Sequence, residues 1–149
     1  MISKILIPTD GSKPARKSVE YAAGLAKQTG AAIILLTVID KSFFLTQTIP
    51  AAATPVHIRE PIEDYLKLTA ESYIGDAERL CEKKGIEYQK VIRSGHPVEE
   101  IIKEAKKSRV DLIVIGSHGR SALKAAVLGS VTFGVINKET KIPVLVVRK

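Results

Sequence analysis

Residues Ala32 to Ile39 form an apolar run too short to cross a bilayer and too continuous for a strand with one wet face. Such a run marks a strand buried on both sides, which needs helices above and below it. The flanking sequence supplies them. Upstream, Ile2 to Ile7 is a short β-rich run ending at Pro8. Ser12 and Pro14 then read as the cap and first turn of a helix. Ala15, Val19, Ala22, Ala23 and Ala26 recur at helical spacing, and Gly30 closes the segment. Downstream, Ile62, Leu66, Thr69, Tyr73, Ala77 and Leu80 trace a second helical face, ended by Gly85. Ile86 to Ile92 alternates as a strand. Pro97 opens a third helix with Glu99 and Glu100 in its first turn, where the helix dipole favours them. Asp111 to Ile115 is another buried strand, residues 130 to 139 are helical, and Pro143 to Val147 is the last strand. This alternation predicts an α/β fold, an open parallel five-stranded sheet with helices on both faces. The 149 residues fit one domain, 1–149. One stretch breaks the pattern. Asp40 to Pro61 has no clear period and holds Phe43, Phe44 and three prolines. A connection this long is functional or disordered, so a flap over a site and a surface insertion both fit.

Charge and cysteine content narrow the function classes. The single Cys81 excludes an internal disulfide and a Cys-rich metal site, and its place on the apolar side of the second helix suits packing. Pro8, Thr9 and Asp10 arrive too early for a secretory leader, so a cytoplasmic protein without membrane association is expected. The net charge is +7, with 15 basic against 9 acidic residues after position 75. The second half therefore favours an anionic ligand. Its lysines alternate with glutamates along helices, the pattern of a solvated, salt-bridged face. With four Tyr, three Phe and no Trp, none clustered among the basic residues, the chain lacks a stacking platform for single-stranded nucleic acid.

In open α/β sheets ligands bind beyond the carboxyl ends of the strands, where strand order reverses. The residues to inspect are Pro8 to Ser12, Val38 to Asp40, Ser94 to His96, and Gly116 to Arg120. The last group is the richest. Glycines let the backbone turn sharply and bring N–H groups close to a phosphate, and Arg120 adds charge. Gly129 and Ser130 then begin a helix, with Ser130 placed to cap it. The free N–H groups and positive dipole end of that helix would complete an anion site. His118, inside the turn, reads either as a phosphate contact or proton carrier, or as a loop-stabilising hydrogen bond. Asp10 could hold a ribose hydroxyl or a metal ion, or could cap its own turn beside Gly11. His96 precedes Pro97 and fits a helix cap. The segment from Gly11 to Ser18 imitates a P-loop. It lacks the second glycine, and Pro14 removes a loop N–H, so it reads as a helix start. No Gly-x-Gly-x-x-Gly fingerprint follows the first strand, which leaves NAD and FAD unsupported.

Gly116-x2-Gly119-x9-Gly129-Ser130 resembles the G-2x-G-9x-G-(S/T) signature of ATP-binding universal stress proteins. The opening Ile5 to Ser12, the Gly95-His96-Pro97 triplet, the run Asp111 to Gly116 and the ending Pro143 to Val147 resemble family motifs too. The resemblance implies a Rossmann-like sheet in the order 3-2-1-4-5, with the reversal between strands one and four. It implies that Asp10 contacts ribose and that Pro8, Thr9 and Val38 line an adenine pocket. It also implies that Gly116, Gly119, Arg120, Gly129, Ser130, Val131 and Thr132 surround the phosphates, with Ser117 and His118 in the same turn. The implied ligand is ATP with a divalent metal such as Mg2+. The implied assembly is a homodimer through the strand 143–147, and the implied role is a switch or sensor acting on a downstream protein partner. Slow ATP hydrolysis or phosphoryl transfer is one alternative, and nucleic-acid binding through the basic half is another. Gly134 departs from the pattern. Inside a helix it costs about 1 kcal/mol relative to Ala, which implies either a loose helix or a closely packed one.

Overall fold

The computed structural model describes residues 1–40, 56–118, 128–138 and 141–148, with side chains of 56–62 outside the description. The chain runs β1 (Lys4–Pro8), α1 (Lys13–Thr29), β2 (Ala32–Ile39), α2 (Val56–Lys84), β3 (Tyr88–Ser94), α3 (Pro97–Lys107), β4 (Leu112–Gly116), α4 (Ser130–Lys138) and β5 (Val144–Val147). The strands form one parallel sheet in the order β3-β2-β1-β4-β5, as expected.

The apolar runs are explained by their two-sided burial. Ile5, Ile7, Ile33, Leu35, Leu112 and Val114 face a core shared with α1 and α2. Leu6, Ile34, Leu36, Ile113 and Ile115 alternate with them and face a second core with Val98, Ile101 and Ala105 of α3 and Val135 of α4. A period of two thus survives inside a run that reads as uniformly apolar, because both faces are dry. Cys81 is fully buried in the first core, and burial, aided by Glu78 and Glu82, pushes its thiol up to about 11. The thiolate form is suppressed and the residue packs as a small hydrophobe.

Three expectations need correction. First, the third strand begins at Tyr88, not Ile86. The Gly85 N–H donates to Glu82 O at 3.1 Å and the Ile86 N–H to Cys81 O at 2.9 Å. This pair of bonds is a Schellman closure, so Ile86 belongs to the end of α2. Second, the buried stripe of α2 runs through Ala70, Ile74, Ala77 and Cys81. It shares Ala77 with the expected face but is rotated from Leu66, Thr69, Tyr73 and Leu80, which are half-buried; the side chain of Ile62 lies outside the described residues. Third, 56–61, the end of the expected insertion, already belongs to α2. Pro61 signals a break, but its missing N–H removes a single bond from a helix of 29 residues. The rest of that insertion, 41–55, lies outside the described residues.

Candidate functional site

At the end of β1 the backbone turns sharply and is fixed from within. The Thr9 N–H donates to Leu36 O at 2.8 Å, and Thr37 Oγ1 donates to Thr9 O at 2.9 Å. Asp10 Oδ1 accepts the Ser12 N–H at 3.0 Å, so the Asx-turn reading of Asp10 holds. Ser12 caps α1, its Oγ accepting the Ala15 N–H at 3.3 Å. The imitation P-loop is therefore a helix start.

At the end of β4 the two glycine elements meet. The Gly129 N–H donates to Ser117 O at 2.7 Å, while the Ser117 N–H donates to Val147 O at 2.9 Å. Ser117 Oγ pairs with His118 Nδ1 at 2.9 Å, the loop-stabilising bond considered above. Thr132 Oγ1 donates to Gly116 O at 2.7 Å and locks the first turn of α4 against the strand. A Cβ on Gly116 would lie 3.0 Å from Pro14 O, so the absent side chain lets the start of α1 close on β4. The first i→i−4 bond of α4 runs from the Phe133 N–H to Gly129 O at 2.9 Å. Gly129 therefore takes the N-cap position expected for Ser130, which becomes the first helical residue. Helix geometry leaves the N–H groups of Ser130, Val131 and Thr132 without intrahelical acceptors, at the positive end of the dipole.

These elements enclose a cavity of about 620 Å³. Pro8, Thr9, Asp10 and Val38 line it from β1 and β2, Gly116 and His118 from β4, and Gly129, Ser130, Val131 and Thr132 from α4. Of the expected site residues, Ser117 stands behind the wall as a tie, and Gly119 and Arg120 lie outside the described residues. The wall also contains Asp40 and His96, both within the segments after strands picked out for inspection, and Pro97, Val98 and Ile101, which were not given a site role. His96 does occupy the N-cap of α3, but its side chain makes no capping bond and borders the cavity instead. Position immediately after a strand was the signal available for Asp40 and His96. Nothing local marked Val98 and Ile101, which reach the site only because α3 packs there.

Behind α3, Arg93 bridges two buried carboxylates. Its Nε donates to Glu100 Oε1 at 2.8 Å and its Nη1 to Glu104 Oε1 at 3.1 Å. Ser108 Oγ also bonds Glu104. Arg93, then Lys103, hold the Glu100 carboxyl below the ordinary glutamate range. This network fastens α3 to β3 beside the turn that carries His96.

The lining combines polar and apolar groups. It includes a helix start with outward main-chain N–H groups, suited to an anion, and the Asp10 carboxylate, suited to hydroxyls. The remaining wall is mostly aliphatic, suited to a flat ring, and the volume is ordinary for a small ligand. A family model described as the universal stress protein family matches residues 1–148. Universal stress protein MJ0577 of Methanocaldococcus jannaschii is 35% identical over an alignment spanning all of this chain and 96% of that protein. The solved structure of MJ0577 superposes with a TM-score of 0.85 at 34% identity, covering 100% of this chain and 97% of that one. A universal stress protein in complex with cAMP shares the fold at TM-score 0.69 and 22% identity, over 99% of this chain and 97% of its own. The Archaeoglobus fulgidus protein in complex with dAMP does so at 0.67 and 20%, over 98% and 97%. The sheet order, the glycine pair closed by the Ser117–Gly129 bond, and a match along almost the whole length agree: this chain belongs to the universal stress protein family.

Proposed function

We propose that the cavity binds ATP and that the protein acts as a nucleotide-dependent switch or sensor in a stress response. The carrying observation is the bond from the Gly129 N–H to Ser117 O, which sets the start of α4 beside the end of β4. The phosphates take the N–H groups of Ser130 to Thr132, Asp10 meets the ribose, and the purine lies along Val38. Two relatives of the same fold are complexes with adenine nucleotides, which supports the ligand class. Among the described residues no group of three or more His, Cys, Asp or Glu side chains is arranged to hold a metal. A divalent cation such as Mg2+ would be held mainly by the phosphate oxygens and water, as is common for that ion. Titration of the purified protein with ATP and with inorganic triphosphate tests the reading. Gly129→Val should abolish binding of both, and Asp10→Ala should weaken ATP about tenfold, roughly 1.4 kcal/mol, while sparing triphosphate. Unchanged ATP affinity in Gly129→Val would refute the site.

A homodimer is supported by a separate observation. β5 is an edge strand, half-buried throughout, and Val144–Val147 carries no charge. The opposite edge, β3, carries Lys90 and Arg93. Uncharged apolar edges invite pairing, and a two-fold axis would join two β5 strands antiparallel. Native mass should read two chains for the wild type and one for Val146→Pro, which loses a backbone donor. A wild type that is monomeric at high micromolar concentration would exclude the dimer.

A further inference from the structure

Helix α2 packs on the face of the sheet opposite α3 and α4, yet one of its side chains reaches the first turn of the site. A Cβ built on Gly11 would fall 2.2 Å from Cδ1 of Tyr73 and 2.7 Å from Cγ and Cε1. The ring thus occupies the space that a side chain at position 11 would need. Gly11 also stands at φ +76°, which L side chains rarely adopt. Tyr73 is half-buried and stands apart from the apolar core on its face, to which α2 contributes Ala77 and Cys81, with Leu80 packed against it. One turn on, Arg16 and Asp76 pair at 3.5 Å with side chains 63% and 40% exposed. An ion pair so exposed is worth about 0–1 kcal/mol, so the ring, not the charge, sets α2 against the turn.

The turn lies between the ring and the cavity. Asp10 lines the cavity, Gly11 meets the ring, and the Ser12 N–H returns to Asp10 Oδ1. A shift of Gly11 would carry the carboxylate with it. We propose that Tyr73 is a positioning residue of the nucleotide site, its ring bracing Gly11 and so fixing Asp10 where a ribose would meet it. The ligand in this proposal rests on the nucleotide reading; the brace belongs to the chain alone.

Two measurements separate them. Amide exchange at Ser12 reports the turn without any ligand, and ATP and inorganic triphosphate affinities report the site. Tyr73→Ala should speed Ser12 exchange and weaken ATP about tenfold while leaving triphosphate within about twofold. Tyr73→Phe, which keeps the ring, should stay closer to the wild type than Tyr73→Ala in Ser12 exchange and in ATP affinity. Combined with Asp10→Ala, Tyr73→Ala should cost ATP little beyond Asp10→Ala alone, because both act through one carboxylate. If Tyr73→Ala does not fold, Tyr73→Leu removes the ring but keeps an apolar side chain, and the same results are expected. Unchanged Ser12 exchange in the folded variant, or faster exchange with unchanged ATP affinity, would overturn the proposal. Faster exchange in a protein whose wild type binds no ATP would support the brace and refute the nucleotide reading instead.

Discussion

The two ends of the sheet are built by opposite rules. At the amino ends of the strands three helices stop in left-handed residues, Gly30, Gly85 and Arg109. Asp111 accepts from the Ser3 N–H, the Ser3 hydroxyl and the Lys4 N–H at 2.8–3.0 Å, tying β1 to β4. Polar groups there are satisfied locally. At the carboxyl ends three helices start, at Ser12, His96 and Gly129, around a cavity of about 620 Å³. Helix starts present N–H groups outward, and close backbone approaches at Gly116 and Gly134 shape the space. The amino end is closed by local bonds and the carboxyl end carries the proposed site, so substitutions at the two ends should separate melting from ligand affinity.

The broadest effect, on stability and affinity together, is expected at the cavity end. A Cβ on Gly134 would lie 2.7 Å from Val98 Cγ2, so α4 is closely packed on α3 and not loose. Overpacking costs about 1–3 kcal/mol, more than the roughly 1 kcal/mol that Gly→Ala gains in a helix. Gly134→Ala should lose about 1 kcal/mol in a denaturant melt and weaken nucleotide binding as the start of α4 shifts. Adding Val98→Ala should restore both. A Gly134→Ala variant more stable than wild type would break the comparison.

At the amino end stability should move alone. A Cβ on Gly85 meets only Lys27 Nζ, at 3.9 Å, so its replacement is penalised by φ +69° rather than by crowding. Gly85→Ala should cost about 1 kcal/mol with ATP affinity unchanged. Arg109 is the mirror case, a non-glycine residue at φ 54° closing α3 through the Val110 N–H to Ala105 O bond at 3.1 Å. Arg109→Gly should gain up to about 1 kcal/mol, again without touching affinity. A change in affinity with either variant would show that the two ends communicate.

The smallest effect is one of pH. The bonds from Ser3, backbone first, and then from Lys4 hold the Asp111 carboxyl below its ordinary value of 3.8. Its contribution is therefore complete above that value and is lost as pH falls through the lower folded value. Melting curves from pH 7 to pH 2 should show a shallower acid limb for Asp111→Asn, from a lower neutral plateau. Parallel acid limbs in both proteins would remove Asp111 from the account.

Much of this was legible because the signals are local or periodic. Ser12 and Gly30 mark α1 by capping chemistry that needs no tertiary partner. The Gly116 and Gly129 spacing pointed to one site through the family it resembles. His96 was legible both as a residue just after a strand and as the N-cap of α3, and only the packing of α3 shows that its side chain borders the cavity without making a capping bond. Ile86 was misjudged because a β-branched residue after a glycine looks like the start of a strand, whereas its N–H closes the preceding helix.

By itself the sequence determined the alternation of strands and helices, the burial of the sheet on both faces, and the end of the sheet where a ligand belongs. Each follows from hydrophobic period and turn chemistry, which act over a few residues. Tertiary structure alone decided which stripe of α2 is buried, that Tyr73 covers Gly11, that Val98 meets Gly134, and that Val98 and Ile101 line the cavity. These depend on the rotation and approach of whole helices. Close packing sets both, through pairs of side chains far apart in the chain, and no local pattern records them.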